Sequence, residues 1–244
     1  MCGRFSLTSD LDRLLPRLGR RLPPELEHHH RPRPQVFPGE PVLVHRLEHG
    51  QRSTTLMLWG LLPAWRRDPT GWRRPINARG ETVAERASFR GPWRHRRALL
   101  PADGFYEWSD HGQDDGRRRP WLIRRRDGAP FWLAGLWERW LGADGSELET
   151  TVVLTSAANR LMAPLHDRQP VVIPDGLEEA WLAAADGAAL RALEPLLLPW
   201  DPDGWEAVPV RAAGPTPPGA DPPGDGPAAP GAPPAAAAPP PPPG

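Results

Sequence analysis

Proline sets the first limit on what this chain can fold into. There are 35 prolines in 244 residues, and a dense run of them closes the chain as PTPPGADPPGDGPAAPGAPPAAAAPPPPPG. Proline fixes its own φ and lacks an amide donor, so it suits neither a helix interior nor a central strand. That run also has no periodicity and no bulky apolar side chain to bury. Residues 213–244 are therefore expected to form a disordered, polyproline-II-rich tail. Folding falls to residues 1–212, a length that suits one medium domain. The 12 tryptophans and a hydrophobic content of 39% are enough to build a core.

Within 1–212 the strand signals dominate. PVLVHRL, STTLMLWG and TTVVLTS are rich in β-branched and apolar residues. RALLPADGFYEWSD reads as strand, turn, strand about Asp103-Gly104, and RPWLIRRRDGAPFWLAGLWERW as two strands about Asp127-Gly128. SDLDRLLPRL predicts a short helix over 9–18, interrupted at Pro16. ETVAERASF, AANRLMAPL, LEEAWLAAA and AALRALEPLLL predict further short helices. Hairpin signals outnumber βαβ patterns, so the expected fold class is α+β, with a mainly antiparallel sheet. MCGRFSLTSD lacks the apolar centre of a secretory signal, and no apolar run approaches the roughly 20 residues of a membrane helix. A cytoplasmic protein with no membrane partner is expected. The single cysteine excludes an internal disulfide framework and a Cys-based zinc site. His28, His29 and His30 are consecutive and diverge in direction, so no metal and no cofactor is expected.

The net charge of zero conceals a pattern. All 30 basic side chains are Arg, and there is no Lys. Arg66, Arg67, Arg73, Arg74, Arg79, Arg86, Arg90, Arg94, Arg96 and Arg97 crowd one stretch, against Asp68, Glu81 and Glu85. A guanidinium is a planar fork that matches phosphate. Coding bias towards Arg explains the missing Lys but not this local excess. Trp65 and Trp72, interleaved with the arginines, suit stacking on unpaired bases, whereas Trp59 also suits a core.

Without Lys, the ordinary imine-forming group left is the chain's own α-amine, whose reference pKa is about 7.7–8.0. The initiator Met is normally removed before a residue as small as Cys. Cys2 would then carry an amine and a thiol on adjacent carbons. Such a 1,2-aminothiol condenses with an aldehyde to an imine, and the thiol closes a thiazolidine. By itself, a cysteine in second position is more often incidental. Asn77 and Arg79 in PINARGET can orient a sugar oxygen and a phosphate, or simply open a helix. Glu107, between Tyr106 and Trp108, is either a desolvated proton-transfer group or a solvent-facing strand residue. His166 in PLHDRQPVV is either a proton shuttle or a loop histidine bonded to backbone.

Taken in order, MCGRF, WGLLPAW, INARGETVAE, ADGFYEW, LAGLWERW and LHDRQPVVIP resemble the SRAP (SOS response-associated peptidase) family of abasic-site processing proteins. The matching segments span nearly all of 1–175. The resemblance implies a curved sheet or barrel-like core, a basic DNA channel, and a covalent crosslink from Cys2 to ring-opened abasic sites in single-stranded DNA. It implies catalytic roles for Cys2, Asn77, Glu107 and His166, a DNA backbone contact from Arg79, and site or DNA-loop places for Thr155 and Pro38; Arg4 and Trp65 are further candidate DNA-binding residues. A monomer that associates with the nucleoid when bound to DNA is expected, with autopeptidase activity and β-elimination (lyase) from the same imine as side branches. The segment PQVFPGE departs from the Asn-containing loop common in the family. On the residues themselves two other classes stay open: a thiol peptidase pairing Cys2 with His166, and a non-covalent single-stranded nucleic-acid binding module.

Overall fold

The computed structural model describes residues 2–18, 26, 31–109 and 119–210. The expected tail and His28–His30 lie outside these residues. In chain order the elements are β1 (Phe5–Leu7), α1 (Leu11–Leu18), β2 (Arg33–Val36), β3 (Pro41–Glu48), β4 (Gln51–Trp59) and β5 (Asn77–Arg79). A 3-10 helix at Gly80–Thr82 precedes α2 (Arg90–His95), β6 (Arg97–Ala102), β7 (Gly104–Ser109), β8 (Arg119–Arg125) and β9 (Phe131–Leu141). Then come β10 (Glu147–Ala157), β11 (Arg168–Pro170), β12 (Val172–Ile173), α3 (Glu178–Ala183), α4 (Gly187–Ala192), a 3-10 helix at Glu194–Leu197 and β13 (Trp205–Pro209).

The larger sheet closes on itself. β4, β3, β6 and β9 follow one another as neighbours, and β10 pairs with both β9 and β4. These five strands form a barrel, with β5, β11 and β12 added at its margins. Only the β10–β4 seam within the ring is parallel, at Thr150↔Leu58 and Thr151↔Trp59. Closure removes the free edges of the ring. Strand β9 is paired on both sides and lies at the heart of the core, so it reads as a nearly unbroken buried run rather than an alternating one. Trp59, Trp132 and Trp181 are among the largest fully buried side chains. The β3–β4 hairpin turns on His49 and Gly50, both at positive φ (51° and 74°), between the paired Glu48 and Gln51. That is the backbone demanded by a two-residue turn matched to strand twist.

A second sheet, in the order β13-β8-β7-β1-β2, packs beside the barrel. The strand pairs read about Asp103-Gly104 and Asp127-Gly128 are present, but neither is a hairpin: β6 and β9 belong to the barrel, β7 and β8 to the second sheet. Asp103 makes the first corner. Its carboxylate accepts from the Thr8 and Ser9 backbone N–H groups at 2.5 and 2.7 Å, and from the Ser9 hydroxyl at 2.5 Å. A turn residue that bonds across to another strand, rather than to its own flanks, sends the chain from one sheet to the other.

Three expected helices differ. Pro16 sits inside α1 and does not end it. ETVAERASF forms the 3-10 helix and successive turns, and the α-helix starts a turn later, at Arg90. Pro92 then falls in the first turn of α2, where an amide would have no helical partner. AANRLMAPL also remains a set of turns. There Asn159 accepts from the Leu161 and Met162 amides through its side chain, both at 3.0 Å, and Pro164 prevents extension. No helix among the described residues is long and apolar enough to cross a membrane.

Candidate active site

Strand β1 runs antiparallel to β7, with Phe5 opposite Phe105 and Ser6 opposite Gly104. The Tyr106 amide continues the ladder by donating to the Arg4 carbonyl at 2.9 Å. Ladder pairing thus lays the amino-terminal segment along β7, which carries Glu107. Cys2 is fully enclosed, and its carbonyl accepts from the Asn77 side-chain amide at 3.0 Å. Asn77 opens β5, which is held parallel to β10 at Val153↔Asn77. The other end of the Asn77 amide, its Oδ1, is buried without a hydrogen-bond partner among the described residues. It is an acceptor left available beside Cys2.

The electrostatics tie these groups together. Burial pushes the Cys2 thiol up to about 12, and the nearby Glu107 carboxylate adds to the rise. Burial likewise raises the Glu107 carboxyl, opposed by the positive amino terminus and by His166. His166 lies in the turn between β10 and β11, and its Nδ1 accepts from the Arg168 amide at 2.8 Å. The structure therefore brings Cys2, Asn77, Glu107 and His166 into one neighbourhood from four separate stretches of sequence.

The other sequence-singled residues are arranged around it unequally. Arg4 is buried, with its guanidinium over the Phe37 and Trp108 rings at 4.5 and 4.7 Å and bonded to Gln35 Oε1 at 3.2 Å. Pro38 is half-buried in the turn between β2 and β3. Trp65 is 54% exposed and meets Trp72 edge-on at 5.7 Å. Arg79 is exposed at the end of β5. Thr155 is fully buried, and its hydroxyl accepts from Arg168 at 3.2 Å. Trp59 belongs to the core, where its indole N–H donates to the Ile76 carbonyl at 2.9 Å. Reading the sequence missed Glu81 and Arg168 as partners. Both lie within motifs that were read for their neighbours, ARGET and HDRQP, and no spacing rule relates positions 81 and 168.

Exposed Arg67, Arg73, Arg74, Arg86, Arg90 and Arg94 have no carboxylate partner among the described residues. Among the other described arginines most are paired with carboxylates, as in Arg46–Glu149 and Arg139–Glu48. Part of the excess read at 66–97 thus survives folding as a basic surface, while Arg96 meets Glu138 and Arg97 is buried.

Comparison with known proteins agrees with this architecture. The chain is 35% identical over 213 residues to the abasic site processing protein YoqW of Bacillus subtilis, covering 87% of this chain and 93% of the relative. It is 31% identical to the abasic site processing protein YedK of Escherichia coli, covering 75% and 79%. A solved structure of a protein from Bacteroides thetaiotaomicron superposes with a TM-score of 0.77 at 25% identity, covering 86% of this chain and 93% of that one. Residues 1–213 match the family described as SOS response associated peptidase (SRAP), and the chain belongs to that family.

Proposed function

We propose that this protein captures ring-opened abasic sites in single-stranded DNA as a thiazolidine on Cys2, after Met1 is removed. The observation that carries the reading is the hydrogen bond from Asn77 to the Cys2 carbonyl, which pins the future amino terminus beside the buried Glu107 carboxyl. The relatives named as abasic site processing proteins supply the substrate class.

The chemistry needs no external reactant. The Cys2 amine adds to the C1′ aldehyde, and the carbinolamine loses water to give an imine. The thiol sulfur then bonds to the imine carbon, and its proton passes to the nitrogen. One water leaves overall. Glu107, with its carboxyl held high by burial, suits proton delivery to the departing hydroxyl. His166 suits proton exchange during sugar ring opening, and the open Asn77 Oδ1 suits a sugar hydroxyl. A protonated thiol fits this sequence because the amine attacks first. The same imine can undergo β-elimination, and thiazolidine closure competes with that strand cleavage.

Arg79 and the unpaired arginines suit the backbone of the strand, and exposed Trp65 suits an unpaired base. Arg4, Pro38 and Thr155 suit the wall of the site. A cytoplasmic monomer, associating with the nucleoid through DNA, accords with this substrate.

The test is incubation of the mature protein with a single-stranded oligonucleotide carrying one abasic site, followed by intact mass measurement. The expected product is protein plus DNA minus water, lost in Cys2→Ala. No adduct, or an undiminished one in Cys2→Ala, overturns the proposal. Salt-sensitive binding without an adduct would favour the non-covalent module instead.

A further inference from the structure

Trp65 sits in the loop between β4 and β5, where no helix or strand holds it. The base of the loop is closed by the Leu61 amide, which donates to the Pro75 carbonyl at 2.9 Å. A loop with joined ends leaves its tip to be held by side chains. Inside the tip, the Arg66 amide donates to the Pro63 carbonyl at 3.0 Å and the Trp72 amide to the Pro69 carbonyl at 3.1 Å, which makes two tight turns. Among the described residues one hydrogen bond reaches 63–73 from outside the loop. The Trp140 indole N–H donates to the Arg66 carbonyl at 2.6 Å. Trp140 is buried near the end of β9, opposite Leu148 of β10.

From this tether the contacts pass outward through rings. The Arg66 guanidinium stands over the Trp72 ring at 5.3 Å, and its Nε donates to the Asp68 carbonyl at 2.7 Å. Trp72 meets Trp65 edge-on, with the rings 5.7 Å apart at 82°. A cation over a ring face and an edge-to-face pair each fix the tilt of a ring as well as its position. Each contact thus sets the next, from the buried barrel strand to the exposed Trp65. An indole held at a fixed tilt, with half its surface open, is ready to receive a flat unpaired base.

We propose that Trp140, Arg66 and Trp72 are positioning residues for Trp65, which they hold as a fixed platform for an unpaired base. This rests on the single-stranded DNA reading proposed above, but not on the chemistry at Cys2. Stacking needs ring surfaces in contact and is lost when the platform swings free. The attraction of a phosphate to Arg67, Arg73 and Arg74 falls slowly with distance and tolerates the same loosening. Trp140 therefore governs affinity for bases rather than for backbone, although it lies at the far end of the tether from Trp65.

The test compares equilibrium binding to two strands of equal length at one salt concentration. One is oligothymidylate. The other is built from tetrahydrofuran residues, which keep the phosphate backbone but carry neither base nor aldehyde. The parent protein is expected to prefer oligothymidylate, and Trp65→Ala to abolish the preference. Trp140→Phe keeps a buried ring and loses the N–H donor. It and Trp72→Ala are each expected to weaken oligothymidylate binding about tenfold, the scale of one stacked base, and to leave tetrahydrofuran binding unchanged. Added to Trp65→Ala, neither should cost anything further, because all act through one ring. A merely structural role would weaken both strands alike. That outcome, an unchanged preference in Trp140→Phe, or losses that add to Trp65→Ala overturns the proposal. Should Trp140→Phe fail to fold, Trp72→Ala alters only the loop, and a retained preference there overturns it equally. A parent without preference shows that Trp65 is no platform, and the proposal falls. Adduct formation with abasic DNA, measured separately, decides the Cys2 reading whichever way the binding falls.

Discussion

Glu107 lies on β7 between Tyr106 and Trp108, and burial holds its carboxyl above the usual carboxylate range. The folded state therefore binds this proton more tightly than the unfolded chain does. Its contribution to stability is present at low pH and is lost as pH rises above the ordinary value of 4.5. Glu107→Gln removes the ionisation. Thermal unfolding across a pH series is expected to give a flatter profile and a higher midpoint near neutrality. The same variant is expected to slow adduct formation by about a hundredfold, the scale of a lost general acid. A variant that is less stable at neutral pH, or equally fast, contradicts this account. The sequence offered Glu107 only as a carboxylate among aromatics. Its burial depends on β1 lying alongside β7, a pairing between residues about a hundred positions apart.

At the scale of elements, backbone contacts set the limits. Gly135 is in β9 between β6 and β10, and a Cβ there would stand 2.4 Å from Leu100 Cδ1 and 3.2 Å from the Val152 carbonyl. Gly135→Ala is expected to cost about 1–3 kcal/mol in denaturant unfolding, as overpacking of a closed barrel. Arg97 joins α2 to α3 without a carboxylate. It donates to the carbonyls of Trp93, Arg94, Trp181 and Leu182 at 2.5, 3.1, 2.6 and 3.3 Å, and also to that of Ala184. Burial brings its pKa down to about 10. Arg97→Met strands these acceptors and is expected to cost about 2–4 kcal/mol by the same measurement. By its place in the sequence, Arg97 belongs with the phosphate-facing arginines. Nothing local distinguishes it from Arg94 or Arg96, because three of its acceptors, Trp181, Leu182 and Ala184, come from α3 and its end, far along the chain.

For the whole molecule, the distribution of charge matters more than its sum. Several carboxylates elsewhere among the described residues are engaged with arginines, as in Arg46–Glu149 and Arg139–Glu48, and the strip around 67–94 carries more arginines than carboxylates. Affinity for single-stranded DNA is expected to fall steeply with salt, each phosphate contact contributing about 0.7 to the logarithmic slope. The double variant Arg73→Glu/Arg74→Glu should weaken binding and flatten that slope without altering the thermal midpoint. An unchanged slope would place the strand elsewhere. Domain organisation has its own test: a chain ending at residue 212 is expected to form the adduct at the full rate, since the proline-rich segment contributes no residue to the proposed chemistry.

Family, strand-dominated class and chemical kit are all legible along the chain. Ordered motifs, hairpin signals and a Lys-free composition are local or additive properties, and they can be read without a fold. Where the kit meets depends on the fold. It closed β10 onto β4, turned two apparent hairpins into crossings between sheets, and delayed a helix behind the short strand that carries Asn77. It also separated the buried Arg97 from the exposed arginines. The physical reason is the same throughout. Burial and hydrogen-bond satisfaction are settled by partners distant in sequence, and identical side chains take different roles according to which of those partners they meet.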